Sequence, residues 1–280
     1  MLERLRRIVE YRKVLGTLVR RDLRIRYARS VLGYLWTLID PLAMTLVYWF
    51  VFGVIYSIKT TGSTDIAHSR SQGAPYVVFL LAGLLAWNWF NNSINETARA
   101  LYSERLLVRS TNLPRELWVI RVVIAKGIEH LMSLPILIAF ILLFAVTGDQ
   151  IHLNWRFVLW IPALILEFFL CVGLGLVMAP VTALVDDFIR IVRILLRMGF
   201  YLTPIVYSVA MLDKEHAWAK LILQFNPLTG INDMYRLGFL STEIRPDYFA
   251  WGTCVVITIF WLFFGMWVFR KLESPVLKEI

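Results

Sequence analysis

Five arginines between positions 20 and 29 (Arg20, Arg21, Arg24, Arg26 and Arg29) stand directly before an apolar run that contains Asp40 and Pro41. Several guanidinium forks gathered on one surface match the oxygen geometry of phosphate, which makes Arg24, Arg26 and Arg29 candidates for binding a phosphorylated lipid headgroup. The same charges also read as a plain basic flank that anchors a membrane segment to anionic lipid, and both readings stand at this level. Asp40 is expensive toward lipid, so it is expected to face the protein interior or a water-filled path. Pro41 removes a backbone donor and is expected to break or kink its helix.

Elsewhere the catalytic inventory is thin. The chain has no G-x-x-x-x-G-K-[ST] sequence with which to cradle nucleotide phosphates, and no H-E-x-x-H, G-x-S-x-G or paired Cys-x-x-Cys. Cys171 and Cys254 are isolated within apolar segments and read as packing residues. Glu129, His130 and Glu167 also lie in apolar segments, where ionisable groups are costly and therefore functional candidates, but a proton relay draws on several spans and their roles stay open. Asp186-Asp187 could be a metal-carboxylate pair, as in membrane glycosyltransferases. Its place directly before FIRIVRILL favours a helix N-terminal cap instead.

The elements that hold these residues follow from composition. With 59% hydrophobic, 14% aromatic and 18% charged residues and a mean hydropathy of +0.65, a chain of 280 residues reads as an all-α polytopic membrane protein. The net charge of +9 then reflects topology and anionic lipid rather than nucleic acid. Six stretches, about 32–57, 75–97, 117–147, 156–181, 189–208 and 249–270, are expected to span a bilayer that needs about 20 apolar residues per helix. Residues 1–30 alternate apolar positions (Leu2, Leu5, Ile8, Val9, Leu15, Leu18, Val19) with arginines, the pattern of an amphipathic helix in the membrane interface. Between spans five and six, about 209–248, the patches WAKLILQF and MYRLGFL are too short to cross and suit re-entrant outer-face helices joined at Asn226-Pro227. Most of the 29 basic residues fall in segments that then face the cytoplasm, so both termini are expected there, with no cleaved signal.

Four blocks carry a family resemblance. RYARSVLGYLWTLIDPLAMTLVYWFVFG, with Arg26, Tyr27, Ser30, Leu32, Gly33, Leu35, Trp36 and Pro41, resembles the first-span signature of ABC-2 type permease subunits that export polysaccharides and teichoic acids. STNLPRELWVIRVV, FYLTPIVYS and FNPLTGINDMYR follow in the same order over nearly the whole chain. Two positions depart from the pattern: Asp40 replaces a neutral Asn, and Asp186 replaces the Arg that usually precedes Asp187.

The resemblance implies a half-transporter: two permease copies in the membrane over two copies of a separate ATPase, which binds ATP and Mg. This chain itself is expected to hold no cofactor or metal and to catalyse no reaction. Residues 1–30 would be the cytoplasmic interface helix and 31–280 the transmembrane domain. Residues 102–115 would be the coupling helix, with Arg105, Leu106, Arg109, Asn112, Pro114, Arg115 and Glu116 meeting the ATPase and Leu106, Leu107 and Val108 as its packing face. The implied cargo is a glycan on polyprenyl diphosphate at the bacterial plasma membrane, with Trp36, Asp40, Tyr48, Phe200, Tyr201 and Tyr207 as candidates to line its path. An ABC-2 exporter of another lipid or small molecule, a membrane enzyme acting on polyprenyl-linked sugars, and a proton-driven secondary transporter are the alternatives.

Overall fold

The computed structural model describes residues 10–28, 30–55, 74–147, 151–212 and 217–279. They form an all-helical bundle: α1 (Arg12–Tyr27), α2 (Trp36–Tyr48), α3 (Tyr76–Thr97), α4 (Arg105–Ser110), α5 (Glu116–Val146), α6 (Trp160–Leu184), α7 (Phe188–Leu202), α8 (Ala217–Gln224), α9 (Pro227–Leu237) and α10 (Tyr248–Glu279). The helix around Pro41 continues to Tyr48, where it passes into π-helical turns over Trp49–Ile55. The Thr45 hydroxyl donates to the Pro41 carbonyl at 2.7 Å, a local bond one turn beyond the position where the proline removes an amide donor.

Five stretches are long and apolar enough to cross a membrane: Gly33–Phe52, Tyr76–Thr97, Glu116–Val146, Trp155–Leu184 and Tyr248–Glu279. The expected crossing at 189–208 is shorter than the sequence suggested. Its helix α7 has 15 residues, about 22 Å at 1.5 Å per residue. It stops at Thr203, whose extended backbone (φ −96°, ψ 134°) is what a residue before proline adopts. The final helix instead runs on to Glu279, well past the expected end at 270.

α3 is the hub. Its apolar residues run all round the helix, so it is buried on nearly every side, from Val78 to Trp87 and again at Ser93, Ile94 and Thr97. α5, α6, α9 and α2 pack around it. The tightest helix pair is α6 with α10, and glycine makes it possible. A Cβ on Gly173 would lie 2.7 Å from the backbone of Trp261 and Leu262, and one on Gly265 would run into the Gly173 carbonyl. The outward faces of α5, α6 and α10 stay apolar, with Leu142, Leu143, Ile165, Val256, Phe260 and Trp267 all exposed, as lipid contact requires.

At one end of the bundle, α8 and α9 form a short helical pair: α8 covers most of the first apolar patch, whereas α9 begins at Pro227 and ends at Leu237, leaving Gly238, Phe239 and Leu240 of the second patch beyond it. Asn226 caps α9 by accepting from the Leu228 amide at 3.0 Å, and Pro227 fills its first position. The pair is stitched to the bundle by polar side chains. Trp160 Nε1 donates to the Tyr235 carbonyl at 2.8 Å, and Asn154 Nδ2 donates to the carbonyls of Leu237 and Leu240 at 3.0 and 2.8 Å. Buried Arg236 donates to the carbonyls of Pro204 and Ile205 at 2.7 and 2.8 Å and lies 3.5 Å from the centre of the Phe79 ring. It therefore joins α9, the stretch after α7 and the start of α3 through one guanidinium.

The opposite end carries α1, α4 and the last turns of α10. α1 packs on α5 with Val19 buried and Leu18 against the cluster around Val108 and Trp118. The Leu2, Leu5, Ile8 and Val9 half of its expected stripe lies outside the described residues. One expectation is corrected here: Asp187 does not cap α7 with its side chain. Its backbone is already helical, and its carboxylate turns to Arg190 at 3.2 Å. Replacing Gly173 with Val is expected to lower stability by about 1–3 kcal/mol or more through overpacking, read as a lowered melting temperature in detergent. An unchanged melt would refute the α6–α10 contact.

Candidate functional site

The residues singled out near the first apolar run come together in a cleft of about 320 Å³ between α1, α2, α3 and α5. Arg26 and Tyr27 enter from the end of α1, Trp36 and Asp40 from the start of α2, and Asn88, Asn92, Lys126 and Glu129 from α3 and α5. Asp40 lines this cleft and is exposed to it, which answers where its carboxylate goes.

Arg26 is not a free cation. Its guanidinium bridges two carboxylates, Glu96 at 2.5 Å and Glu129 at 3.1 Å. Lys126 contacts the same pair at 2.8 and 2.9 Å, so two cations and two anions form one closed network across three helices. Burial pulls the Arg26 pKa down, but Glu96 and Glu129 outweigh it and hold the guanidinium above its ordinary value. Burial, with the Glu129 charge behind it, raises the Tyr27 phenol. Arg24 is exposed, and Arg29 lies outside the described residues. A second network lies deeper toward the α4 end: Arg121 reaches Asp22 at 2.7 Å and Glu104 at 3.3 Å, and Arg21 also pairs with Glu104. Glu96, Lys126, Asp22 and Arg121 were not singled out from sequence. Only the Lys126–Glu129 spacing, one helical turn, hinted at a pair.

His130 and Glu167 meet through a third residue. His130 Nε2 lies 3.1 Å from the Tyr235 hydroxyl, which in turn donates to Glu167 Oε2 at 3.5 Å. All three are buried, and the His130 ring stacks on Trp89 with centres 5.0 Å apart. This polar thread ties α5, α6 and α9 together inside the bundle.

The aromatic candidates divide. Trp36 belongs to the charged cleft. Tyr48 and Phe200 stack across α2 and α7 at 5.6 Å, Phe200 meets Tyr201 at 5.3 Å, and the Tyr207 hydroxyl donates to the Tyr201 carbonyl at 3.0 Å. They form a seam beyond the cleft, and Tyr201 is largely exposed.

In the α4 region, Arg105, Leu106, Arg109 and Asn112 are exposed, and Leu106 stands 79% accessible. Val108 corrects the expected packing face, because it points inward and is buried, while Leu106 and Leu107 point out. Pro114 stands in the break between α4 and α5. Arg115 pairs with Glu273 at 3.7 Å, and Glu116 is buried, so both serve the bundle rather than the surface.

A second pocket, of about 290 Å³, opens at the α8–α9 end, lined by Lys220, Asp233, Arg236, Arg245 and Asp247 among others. Asp233 Oδ2 accepts from the Asp247 amide at 3.2 Å and from Trp251 Nε1 at 2.8 Å. Burial nevertheless dominates and raises its pKa to about 6, while burial lowers Arg236 to about 9.

This geometry defines an all-helical, multi-pass membrane protein with an ion-paired cleft at one end and an exposed cationic and apolar helix beside it. Residues 13–240 match the ABC-2 type transporter family, and the chain belongs to it. It is 25% identical to the O-antigen export system permease protein RfbA of Klebsiella pneumoniae, over 93% of this chain and 92% of the relative. It is 28% identical to RfbA of Myxococcus xanthus, over 88% and 87%. To the polysialic acid transport protein KpsM of Escherichia coli it is 24% identical, over 92% and 93%.

A folded-state pKa above the free value means that protonated Asp233 favours the fold. That contribution is complete below about pH 4 and is lost as pH rises through about 6. Thermal melts of the purified protein are expected to fall between about pH 4 and 6 and to level off above that range. Asp233→Asn, which keeps an accepting oxygen, is expected to flatten that slope, and an identical slope in the variant would remove Asp233 as its source.

Proposed function

We propose that this chain is the transmembrane permease subunit of an ATP-driven exporter that moves a polyprenyl-diphosphate-linked cell-envelope polysaccharide from the cytoplasm across the bacterial plasma membrane. The relatives named for O-antigen and polysialic acid transport support the cargo class. The ion-paired cleft carries the reading: it gathers cations, carboxylates, Asn side chains and Trp36 beside the α4 end, as a site for a charged, sugar-bearing headgroup requires. In this orientation both termini are cytoplasmic, α1 lies at the inner interface, and α7 with the re-entrant α8–α9 pair completes a sixth crossing.

Two copies of the chain stand over two copies of an ABC ATPase, which binds ATP and Mg and hydrolyses the nucleotide. α4 transmits the work, with Leu106 seated in an apolar cleft of the ATPase and Arg105 and Arg109 against its acidic rim. Arg24 and Arg29 meet the diphosphate first. The diphosphate then competes with Glu96 and Glu129 for Arg26, because phosphate offers the same bidentate acceptance with more charge. The glycan follows, with ring faces on the Tyr48–Phe200–Tyr201 seam.

The test is ATP hydrolysis by the permease–ATPase complex in proteoliposomes. A lipid-linked glycan is expected to stimulate hydrolysis severalfold, and Leu106→Asp is expected to abolish co-purification of the ATPase while the permease still inserts. Arg24→Glu and Arg26→Glu are expected to reduce export at least tenfold. Stimulation by another lipid class alone would replace the glycan with that cargo, and a permease that binds no ATPase would defeat the proposal.

A further inference from the structure

α7 presents a surface that the cleft does not explain. It begins at Phe188 near the α4 end, and its last turn is held at the other end by Asn226, whose amide donates to Thr203 Oγ1 at 2.8 Å and to the Leu202 carbonyl at 3.3 Å. It therefore runs through the depth of the bundle. Val192 and Leu196 face inward and are buried. At about 100° per residue, Arg190, Arg193 and Arg197 share a second side, and Ile194 and Tyr201 lie at its edge away from the packed pair; all five are exposed. Ile191, Leu195, Met198 and Leu202, exposed and wholly apolar, fill a third sector beyond that edge, with Leu195 farthest round from the arginines. One short helix thus has a packed side, an apolar side and a cationic side.

Arg197 lies ten residues beyond Asp187, roughly 15 Å along the helix and close to mid-depth of a bilayer core. A guanidinium facing lipid at that depth is strongly unfavourable, so the cationic side needs water and an anion. Arg190 has Asp187 at 3.2 Å, but among the described residues no ion pair engages Arg193 or Arg197. A second copy of α7 placed face to face would add like charges, so a protein contact alone does not satisfy the stripe. Phe200 continues the helix into the aromatic seam with Tyr48.

We propose that the arginine side of α7 lines a water-filled path and forms a second anion station, binding the diphosphate of the lipid-linked cargo at mid-membrane after it leaves the cleft, while the neighbouring apolar sector faces lipid chains. This rests on the exporter reading and deepens it. Arg193 and Arg197, about one turn apart, can each offer a guanidinium fork to one phosphate of a diphosphate.

Cysteine labelling tests the station, because native Cys171 and Cys254 are fully buried and give a quiet background. Ile194→Cys at the edge of the arginine side and Leu195→Cys on the apolar side, about 100° apart and at nearly the same depth, are compared in the permease–ATPase complex in nanodiscs, with a charged, membrane-impermeant methanethiosulfonate. Ile194→Cys is expected to react at least tenfold faster. Geranylgeranyl diphosphate should slow that reaction severalfold, whereas geranylgeraniol should not. Protection by inorganic diphosphate but not by the diphosphate lipid would assign the station to a soluble anion and overturn its role in lipid-linked cargo. Equal labelling at the two positions, or no protection by the diphosphate lipid, would overturn the proposal outright.

In the parent background, the Arg193→Gln/Arg197→Gln pair is expected to cut export at least tenfold, with ATPase association retained and the Lys/Lys pair partly active. Export at the parental rate in the Gln pair would refute the station and leave the exporter reading intact. A protected Ile194→Cys in a complex that no glycan stimulates would keep the station and remove the glycan.

Discussion

No charge that this chain carries into apolar surroundings can be left to lipid, and that constraint organises the structure. Each such group is neutralised by a partner, hydrogen bonded, or turned toward a place that water can reach. Arg236 takes the second course, spending its two terminal nitrogens on backbone carbonyls at the α8–α9 end. Arg26, Lys126, Glu96 and Glu129 take the first, and Arg121 with Asp22 and Glu104 repeats it one layer away. The helices that contribute these groups are thereby held in register, in addition to the close packing that joins helices in lipid.

The same constraint explains where function can sit. A closed network of two cations and two carboxylates holds three helices together, and the proposed headgroup recognition makes use of that same clamp. The cleft that holds it lies at the end where α4 exposes Leu106 beside Arg105, so the proposed cargo entry and the proposed ATPase contact fall at one end of the molecule. In the proposed path, the cationic side of α7, where among the described residues no ion pair engages Arg193 or Arg197, continues the same chemistry toward the opposite end, where the aromatic seam lies. Rigid, glycine-mediated packing of α6 on α10 gives these surfaces a frame that does not deform with them.

Much of the architecture was legible in one dimension, since the bilayer reads helices by length and hydropathy. The crossings at 75–97 and 117–147, the Asn226-Pro227 junction and the break near Pro114 all fall where apolar run length and proline chemistry put them. α7 was misjudged because apolar residues continue past its end. Thr203-Pro204 stops the helix, but hydropathy does not register the change of backbone. Asp187 was misassigned because a cap and an ion pair one turn away use the same residue types, and only geometry separates them.

By itself, the sequence determined that the chain is a helical membrane protein, that it carries no nucleotide-binding loop, and that a cationic segment abuts its first apolar run. Those properties are sums over local residues, and local order suffices to read them. Only the tertiary structure decided that Arg26 is bridged by Glu96 and Glu129, that Glu167 meets His130 through Tyr235, and that Val108 turns inward while Leu106 stays out. Each of these joins residues 68 to 105 positions apart, or depends on the rotation of a helix about its own axis. Pairing across such separations is fixed by how helices pack, and no local pattern of side chains encodes it.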